Sequence, residues 1–397
     1  MISRLSPSGK LMFRKHLVLS RIALDNLRRF HTRSYVVLLC LWAILVPFLA
    51  AVAMLEGIKS QAEVAVDAGA DIFVSMDQYG QNAVIPLGMI EKIAQVDGVR
   101  KVTPRAVARG YFFNKLCLVV GVPLGGTEAF PAIDLVEGNL PTDRGEILVG
   151  EALARENHLR VGQMLAIPGT FAQIVGIFTS RVSIWSANLV FMSFEDVSAL
   201  FHQEGYATDL LVYTRPGYEG KVVEALYHIQ YSEPGARLLR LQGKSLVREY
   251  FQRGYNLKGG IFSALYLMAF AVSIPAILVA SGLGLTERQR EVGILKATGW
   301  QTHEVMELVF WENLWLSLIA APSALLIAFG WLKGLNGALF AQFFISELGL
   351  FAKFPVPSQF LPLPLVLAFV LALVITLVGS LLTTWRTAIV SPMEVMR

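Results

Sequence analysis

The chain has 397 residues, of which 54% are hydrophobic and 16% charged, and its formal net charge is +4 at pH 7. This composition is too apolar for a typical soluble protein, so membrane-spanning segments are the first feature to look for. The modest net charge does not by itself exclude any class of partner. The basic residues near the N-terminus are explained more simply by contact with lipid headgroups than by binding of nucleic acid.

The N-terminal segment, 1–34, carries many Lys and Arg side chains against a single acid, Asp25. Apolar residues such as Phe13, Leu17 and Leu27 are interleaved with these cations. This pattern predicts an amphipathic helix in the membrane interface, with an ordinary basic flank as the alternative. Because Lys and Arg beside a span mark its cytoplasmic side, the segment is expected in the cytoplasm.

Four apolar runs are long enough to cross a hydrocarbon core of about 30 Å as helices. They predict transmembrane helices at 35–56, 259–285, 305–332 and 361–385. The alternative, buried helices of a soluble core, would carry polar residues every few positions. A cleaved signal peptide is not expected, because the first run exceeds the ~7–15 apolar residues of such a segment. Four spans return the tail, 386–397, to the cytoplasm.

The long region between the first two spans, 57–258, is expected outside the membrane, with 333–360 as a loop on the same side. Strand-like stretches such as DIFVSM alternate with helical ones such as LGMIEKIAQV. The predicted fold class is therefore an integral membrane α-helical protein with four transmembrane helices and a large α+β extracytoplasmic domain. Two porter-like β-α-β units could share one sheet around an inserted, mainly β subdomain, with helical stalks at both ends. Cys40 lies inside the first predicted span and Cys117 in the external region, so the two cannot pair in this topology.

No catalytic constellation is evident in the sequence. Gly243, Lys244 and Ser245 match part of a phosphate-binding loop, but the glycine needed five residues earlier is Leu238. No histidine has a partner at metal-ligand spacing, and no serine lies in a G-x-S-x-G turn. We therefore expect no metal site, no cofactor and no enzymatic activity on this chain.

Polar and helix-bending residues inside the spans are candidates for function. Glu312 is the deeper of two acids that enter the third span, and either a pairing with a cation or helix terminus or a transport role would explain it. Glu307 lies nearer the interface and is expected to be solvated. Pro47, Pro275 and Pro322 lie inside spans, where a missing backbone donor bends a helix, as a structural kink or as a hinge.

The charged segment TERQREVGILKATGW opens 286–304, the connection between the second and third spans, which places it in the cytoplasm. Thr286 is expected to cap a short amphipathic helix that has Val292 and Leu295 on one face. Gly299 is expected to end this helix in a left-handed conformation. A solvated helix that only connects two spans is the alternative.

This segment is similar to the signature of the FtsX-like permease domain of ABC transporters, E-x-x-x-E-[VI]-[GA]-I-L-[KQ]-x-x-G. The matching residues are Glu287, Glu291, Val292, Gly293, Ile294, Leu295, Lys296 and Gly299. The C-terminal WRTAIVSPMEVMR resembles the ending of this family. The external stretches GEILVGEALARENHLRVGQML and AQIVGIF resemble the extracytoplasmic domain of its MacB-like and LolC/LolE-like members.

The resemblance implies an inner-membrane permease that binds no nucleotide itself. Two permease copies, identical or sister chains, would associate with two cytoplasmic ABC ATPase subunits, which bind ATP and Mg. The cytoplasmic helix would dock on the ATPase. The residues implied for this coupling are Glu287, Arg288, Arg290, Glu291, Val292, Leu295, Lys296 and Gly299.

Stalk helices would then carry the motion to the external domain. That domain would export or extract an amphipathic, lipid-linked or hydrophobic substrate, as in lipoprotein release or MacB-like efflux, with a periplasmic adaptor or a lipoprotein carrier as a further partner. FtsX-like members suggest the alternative, a regulator that couples an ATPase to an external enzyme such as a cell-wall hydrolase without transport. Membrane lipids are expected partners and nucleic acid is not.

Overall fold

The computed structural model describes residues 7–112, 115–125, 130, 132–167, 170–183, 188–232, 238–251, 253–254, 260, 267, 285–339, 341 and 354–389. The chain divides into two compact units. The first, here called the helical unit, comprises Met1–Glu56, Leu257–Ser346 and Ser358–Arg397. The second, the sheet unit, comprises Gly57–Asn256 and Glu347–Pro357.

The helices and strands are numbered along the chain. The helices are α1 (Pro7–Arg29), α2 (His31–Ala68), α3 (Met89–Ala94), α4 (Glu151–Glu156), α5 (Phe194–Leu200), α6 (Glu219–Ser232), α7 (Leu285–Ala297), α8 (Thr302–Gly334) and α9 (Pro362–Ile389). The strands are β1 (Ile72–Gln78), β2 (Gln81–Ala83), β3 (Ile85–Pro86), β4 (Val99–Phe112), β5 (Lys115–Val122), β6 (Ile133–Gly138), β7 (Glu146–Gly150), β8 (Met164–Ile167), β9 (Thr170–Ser180), β10 (Leu189–Ser193), β11 (Tyr206–Ala207), β12 (Asp209–Thr214) and β13 (Leu239–Gly243).

Within the part of the chain that the structure describes, two helices, α2 and α8, are long and apolar enough to cross a membrane, and α9 contains a shorter apolar stretch, Pro362–Val378. The predicted second span, 259–285, lies almost entirely outside the described residues. Helices α8 and α9 pack against each other, and alanines on both are fully buried. These alanines are Ala320, Ala321, Ala324 and Ala328 on α8 and Ala368 and Ala372 on α9. Small side chains of this kind let membrane helices approach closely.

The sheet unit is built on one sheet of eleven strands. Its order is β13-β1-β12-β4-β5-β10-β7-β9-β6, with β2 paired to β1 and β8 to β9, while β11 and β3 form a separate pair. The first four strands are antiparallel neighbours. They belong to β1-α3-β4 and β12-α6-β13, so two β-α-β units interleave in a ferredoxin-like arrangement. Fully buried Ile72, Val74, Leu210 and Val212 of the central strands form part of the core.

The long strand β4 joins the two halves of this sheet. Residues 99–105 pair with β12, and residues 106–112 pair with β5. The middle group of strands, expected as an insertion attached to the sheet, therefore continues the same sheet. Within it, β5–β10 and β7–β9 are parallel pairs.

Candidate functional site

The C-terminus of α7 is fixed by a hydrogen-bonded turn. Gly299 has a φ of 95° and donates its N–H to the Lys296 carbonyl at 3.0 Å. Trp300 donates its N–H to the Leu295 carbonyl, also at 3.0 Å. These two bonds form a Schellman motif, in which a left-handed glycine satisfies the last carbonyls of a helix. The expected stop at Gly299 therefore agrees with the backbone.

The first residues of α7 differ from the expectation. Leu285 is already helical, and an N-cap has non-helical backbone angles and precedes the first helical residue. The predicted cap at Thr286 is therefore wrong. The side chains of Glu287 and Arg288 lie outside the described part of the chain, so their contact with an ATPase remains a prediction.

One face of α7 is anchored to α8 through apolar side chains. Val292 is only 4% exposed and clusters with Val305 of α8 and with Trp300. Trp300 is also the residue that closes the Schellman motif. The backbone N–H of Trp300 therefore closes the end of α7, and its side chain attaches α7 to the first turn of α8.

The opposite face of α7 is open. Arg290 is exposed, and Ile294, one turn later, is 53% exposed. Glu291, Leu295 and Lys296 are half-buried. Of the predicted coupling residues, Arg290 therefore points outward and Val292 inward. Ile294, whose apolar side chain is exposed to solvent, was not among the predicted coupling residues.

Helix α1 contacts α8 through polar side-chain pairs that its amphipathic pattern did not predict. The Lys15 Nζ lies 2.6 Å from Oε1 of Glu304. One turn further along α8, Nδ1 of His16 contacts Oε1 of Glu307. Trp311 also donates its indole N–H to Glu307 at 3.4 Å. Glu307 is therefore held by protein partners, and the expectation of a solvated carboxylate is corrected.

Glu312 is a residue of α8 whose side chain contacts α1. Asn26 donates from Nδ2 to Oε1 of Glu312 at 3.0 Å, so an amide is one of its partners. Glu312 also borders a cavity of ≈ 30 Å³. The lining consists of Asn26, Leu27, Phe30, Arg33, Ser34, Val37, Glu291, Glu312, Asn313, Leu316, Thr376 and Ser380.

A row of polar side chains joins α8 to α9. Asn313 donates from Nδ2 to Oγ of Ser380 at 2.6 Å, and the hydroxyls of Ser317 and Thr376 are 3.5 Å apart. All four are buried. Hydropathy did not predict them as a group, because each is a single polar residue in an apolar run. The matching four-residue spacing on the two helices is the pattern that could have found them.

The three candidate hinge prolines have different outcomes. Pro47 lies inside α2 and Pro322 inside α8, and both helices continue through them. Pro275 lies outside the described residues. Next to Pro322, Ser323 donates its hydroxyl back to the Ile319 carbonyl of its own helix at 2.6 Å. A hinge role for these prolines remains a prediction.

Within the sheet unit, the C-terminal part of α2 is tied to its surroundings by polar contacts. Arg248 Nη2 lies 2.6 Å from Oδ1 of Asp67, and Lys244 Nζ lies 3.2 Å from Oδ1 of Asp71. Both cations belong to residues 244–251, a helical stretch that follows β13. One ion pair, Arg248–Asp67, therefore joins the helical segments that enter and leave the sheet, and the second, Lys244–Asp71, joins the outgoing segment to the link before β1.

Among the residues that the structure describes, no group of three or more His, Cys, Asp or Glu side chains could hold a metal ion.

Two family models match the chain. One, described as the MacB-like periplasmic core domain, matches residues 46–226. The other, described as the FtsX-like permease C-terminal domain, matches residues 263–392. The sequence has no significant match to a curated protein.

Two solved structures are similar to part of the chain. The periplasmic region of MacB from Actinobacillus actinomycetemcomitans is 11% identical, with a TM-score of 0.36, over 47% of this chain and 94% of that chain. The extracellular domain of the noncanonic ABC-type transporter YknZ from Gram-positive bacteria is 14% identical, with a TM-score of 0.34, over 44% of this chain and 99% of that chain. Both TM-scores are low, so no functional argument follows from this likeness.

The MacB-like model matches the region that contains the sheet, and the FtsX-like model matches the region that contains α7, α8 and α9. Permeases of this kind are inner-membrane subunits with an extracellular domain, and they work with an ABC ATPase partner. The chain belongs to the FtsX/MacB-like family of ABC transporter permeases.

Proposed function

We propose that this chain transmits the ATP-driven motion of a separate ATPase from α7 to the sheet unit. The work done there is the export or extraction of an amphipathic, lipid-linked or hydrophobic substrate. In the proposed topology four helices span the inner membrane, both termini are cytoplasmic, and the sheet unit is extracytoplasmic. A second permease copy, identical or sister, completes the membrane part, and a periplasmic adaptor or lipoprotein carrier receives the substrate.

The observation that carries this proposal is the two-sided environment of α7. Val292 and Trp300 attach the helix to α8, whereas Arg290 and Ile294 remain open. In this proposal, a protein that docks on the open side of α7 displaces α7, and the packed side transmits this displacement to α8. The open apolar Ile294 beside a cation suits a protein partner, since interface cores combine apolar and Arg side chains.

A second function has a specific basis in the match to the FtsX-like permease C-terminal model. In this alternative, the same motion activates an external enzyme such as a cell-wall hydrolase, and nothing is transported. The membrane helices and the docking helix would serve both functions equally. Only the event at the sheet unit separates the two.

Reconstitution tests both functions. We expect that the purified chain does not hydrolyse ATP and that it co-purifies with its ATPase when the two are expressed together. ATP-dependent release of a lipid-linked or hydrophobic compound from proteoliposomes would support transport. ATP-dependent activation of a bound hydrolase without release would support the regulator. Failure of any ABC ATPase to associate with the chain would contradict both.

A further inference from the structure

One small polar cavity lies where the helices of the helical unit meet. Its lining includes Asn26 of α1, Arg33 of α2, Glu291 of α7, Glu312 of α8 and Ser380 of α9. Each labelled helix of this unit therefore contributes a polar or charged side chain to the same space.

The cavity is suited to water and to charge. Its volume of ≈ 30 Å³ exceeds the ~10–15 Å³ that one water molecule needs, and its lining offers several hydrogen-bond partners. Glu291, Glu312 and Arg33 bring two negative charges and one positive charge to its wall. Charges away from bulk water interact more strongly than charges at a surface. A shift of one of them therefore changes the energy of the others.

Glu291 differs from its neighbours on α7 in the direction that it faces. Residues four apart share one face of a helix, and Arg290 and Ile294 form the exposed face. Glu291 is half-buried, as is Leu295 four residues later, and it precedes the buried Val292. Glu291 therefore belongs to the inward side of the helix, where the cavity lies.

We propose that Glu291 is a positioning residue that ties α7 to this polar cavity and does not contact the ATPase. A displacement of α7 moves the Glu291 carboxylate relative to Arg33 and Glu312, and Glu312 is hydrogen-bonded to Asn26 of α1 at 3.0 Å. The cavity thus links the docking helix to α1, α2, α8 and α9 together. This inference rests on the proposed function, since it names where the motion of α7 enters the membrane helices.

The first test uses the full chain alone, so that it does not depend on an ATPase. Glu291→Gln keeps the shape of the side chain and removes its charge. Hydrogen exchange should become faster by about 10-fold or more in α7 and also around Asn26 and Glu312, because a local tie has been lost. The matched control, Ile294→Ala on the exposed face, should leave exchange around Asn26 unchanged. Unchanged protection of α9 around the buried Ala368 and Ala372 would verify that the helical unit of both variants is folded.

The second test uses the complex with the co-expressed ATPase. Glu291→Gln should lower coupled activity about 10-fold, as expected for the loss of one half-buried charged partner, while the Kd for the ATPase changes less than about 2-fold. Ile294→Ala should do the opposite and weaken association. Glu291→Asp, which keeps the charge, should recover most of the coupled activity.

The outcomes separate this inference from the proposed function. The inference is overturned if Glu291→Gln leaves exchange around Asn26 and Glu312 unchanged, or if it weakens ATPase association as much as Ile294→Ala does. In either case the proposed function still stands. Failure of the wild-type chain to bind an ATPase would instead contradict the proposed function, while the exchange result would still decide the role of Glu291.

Discussion

Asn313 and Ser380 form a buried hydrogen bond between α8 and α9, with 2.6 Å between Nδ2 and Oγ. Asn313 is 5% exposed and Ser380 is 4% exposed, so neither group has ready access to solvent. We predict that Asn313→Ala lowers the free energy of unfolding of the helical unit by about 1 kcal/mol, the usual size for a hydrogen bond between membrane helices. Denaturant titration in detergent micelles would measure this change.

The control for this prediction is Ser317→Ala on the same helix. The Ser317 hydroxyl donates to the Asn313 carbonyl of its own helix at 2.8 Å, and the contact with Thr376 is longer. Its removal should therefore cost less than half of the loss at Asn313. The interhelical bond has no stabilising role if Asn313→Ala unfolds at the wild-type denaturant concentration.

The two ion pairs beside the end of α2 give a second prediction, on coupling rather than on stability. The Asp67 and Arg248 side chains are 66% and 43% exposed, so the pair contributes less than about 1 kcal/mol to folding. Arg248→Glu should nevertheless reduce coupled activity, because it sets two negative charges where the helical segments are joined. The exchange Asp67→Arg with Arg248→Glu should restore it.

Arg253→Glu is the matched control for this second prediction. Arg253 pairs with Glu249 one turn away in the same stretch of chain, so its reversal leaves the contact with α2 intact. ATP-driven activity of the reconstituted complex is the measurement for all of these variants. A double exchange that remains as inactive as Arg248→Glu would rule out the ion pair as the cause.

Local chemistry explains which features the sequence could predict. The end of α7 follows from Gly299 and its neighbours, since a left-handed glycine and two backbone bonds lie within a few residues of one another. The position of β1 between β13 and β12 could not be predicted in this way. Alternating strand and helix patterns predict β-α-β units, but they do not specify which strands become neighbours.

Contacts between distant segments could not be predicted for the same reason. His16 and Glu307 are 291 residues apart, and Asn313 and Ser380 are 67 apart. Hydropathy identifies a polar residue in an apolar run but does not identify its partner. The expectation of a solvated Glu307 was wrong on this account, because α1 brings His16 to it.

Glu146 gives a prediction on pH in the sheet unit. Its carboxylate accepts the backbone N–H groups of Asp143 at 3.0 Å and Thr142 at 2.7 Å, which lowers its pKa below the usual value. A carboxyl group with a lowered folded-state pKa stabilises the fold above its unfolded pKa of about 4.3. That contribution is lost as the pH falls through the lowered pKa.

We therefore expect the turn before β7 to loosen below about pH 4, the acidic side of the ordinary glutamate pKa. Hydrogen exchange of the Thr142 and Asp143 amides, corrected for the intrinsic effect of pH, would report it. Glu146→Gln should abolish this pH dependence, whereas Glu204→Gln, in an exposed loop, should keep it. The same pH dependence in Glu146→Gln as in the wild type would contradict the assignment to this carboxylate.

The final prediction concerns Gly299, whose φ of 95° is rare for other residues. A Cβ at this position would meet no atom within 4 Å, so the cost of Gly299→Ala is conformational, about 1 kcal/mol. We expect this variant to fray the end of α7 and to lower coupled activity several-fold, while Gly299→Asn, which tolerates the left-handed region better, loses less. Exchange of residues 290–300 would measure the fraying. Gly254→Ala, at an exposed position with no positive φ, should change neither quantity, and equal behaviour of all three variants would mean that the turn after α7 is not needed for coupling.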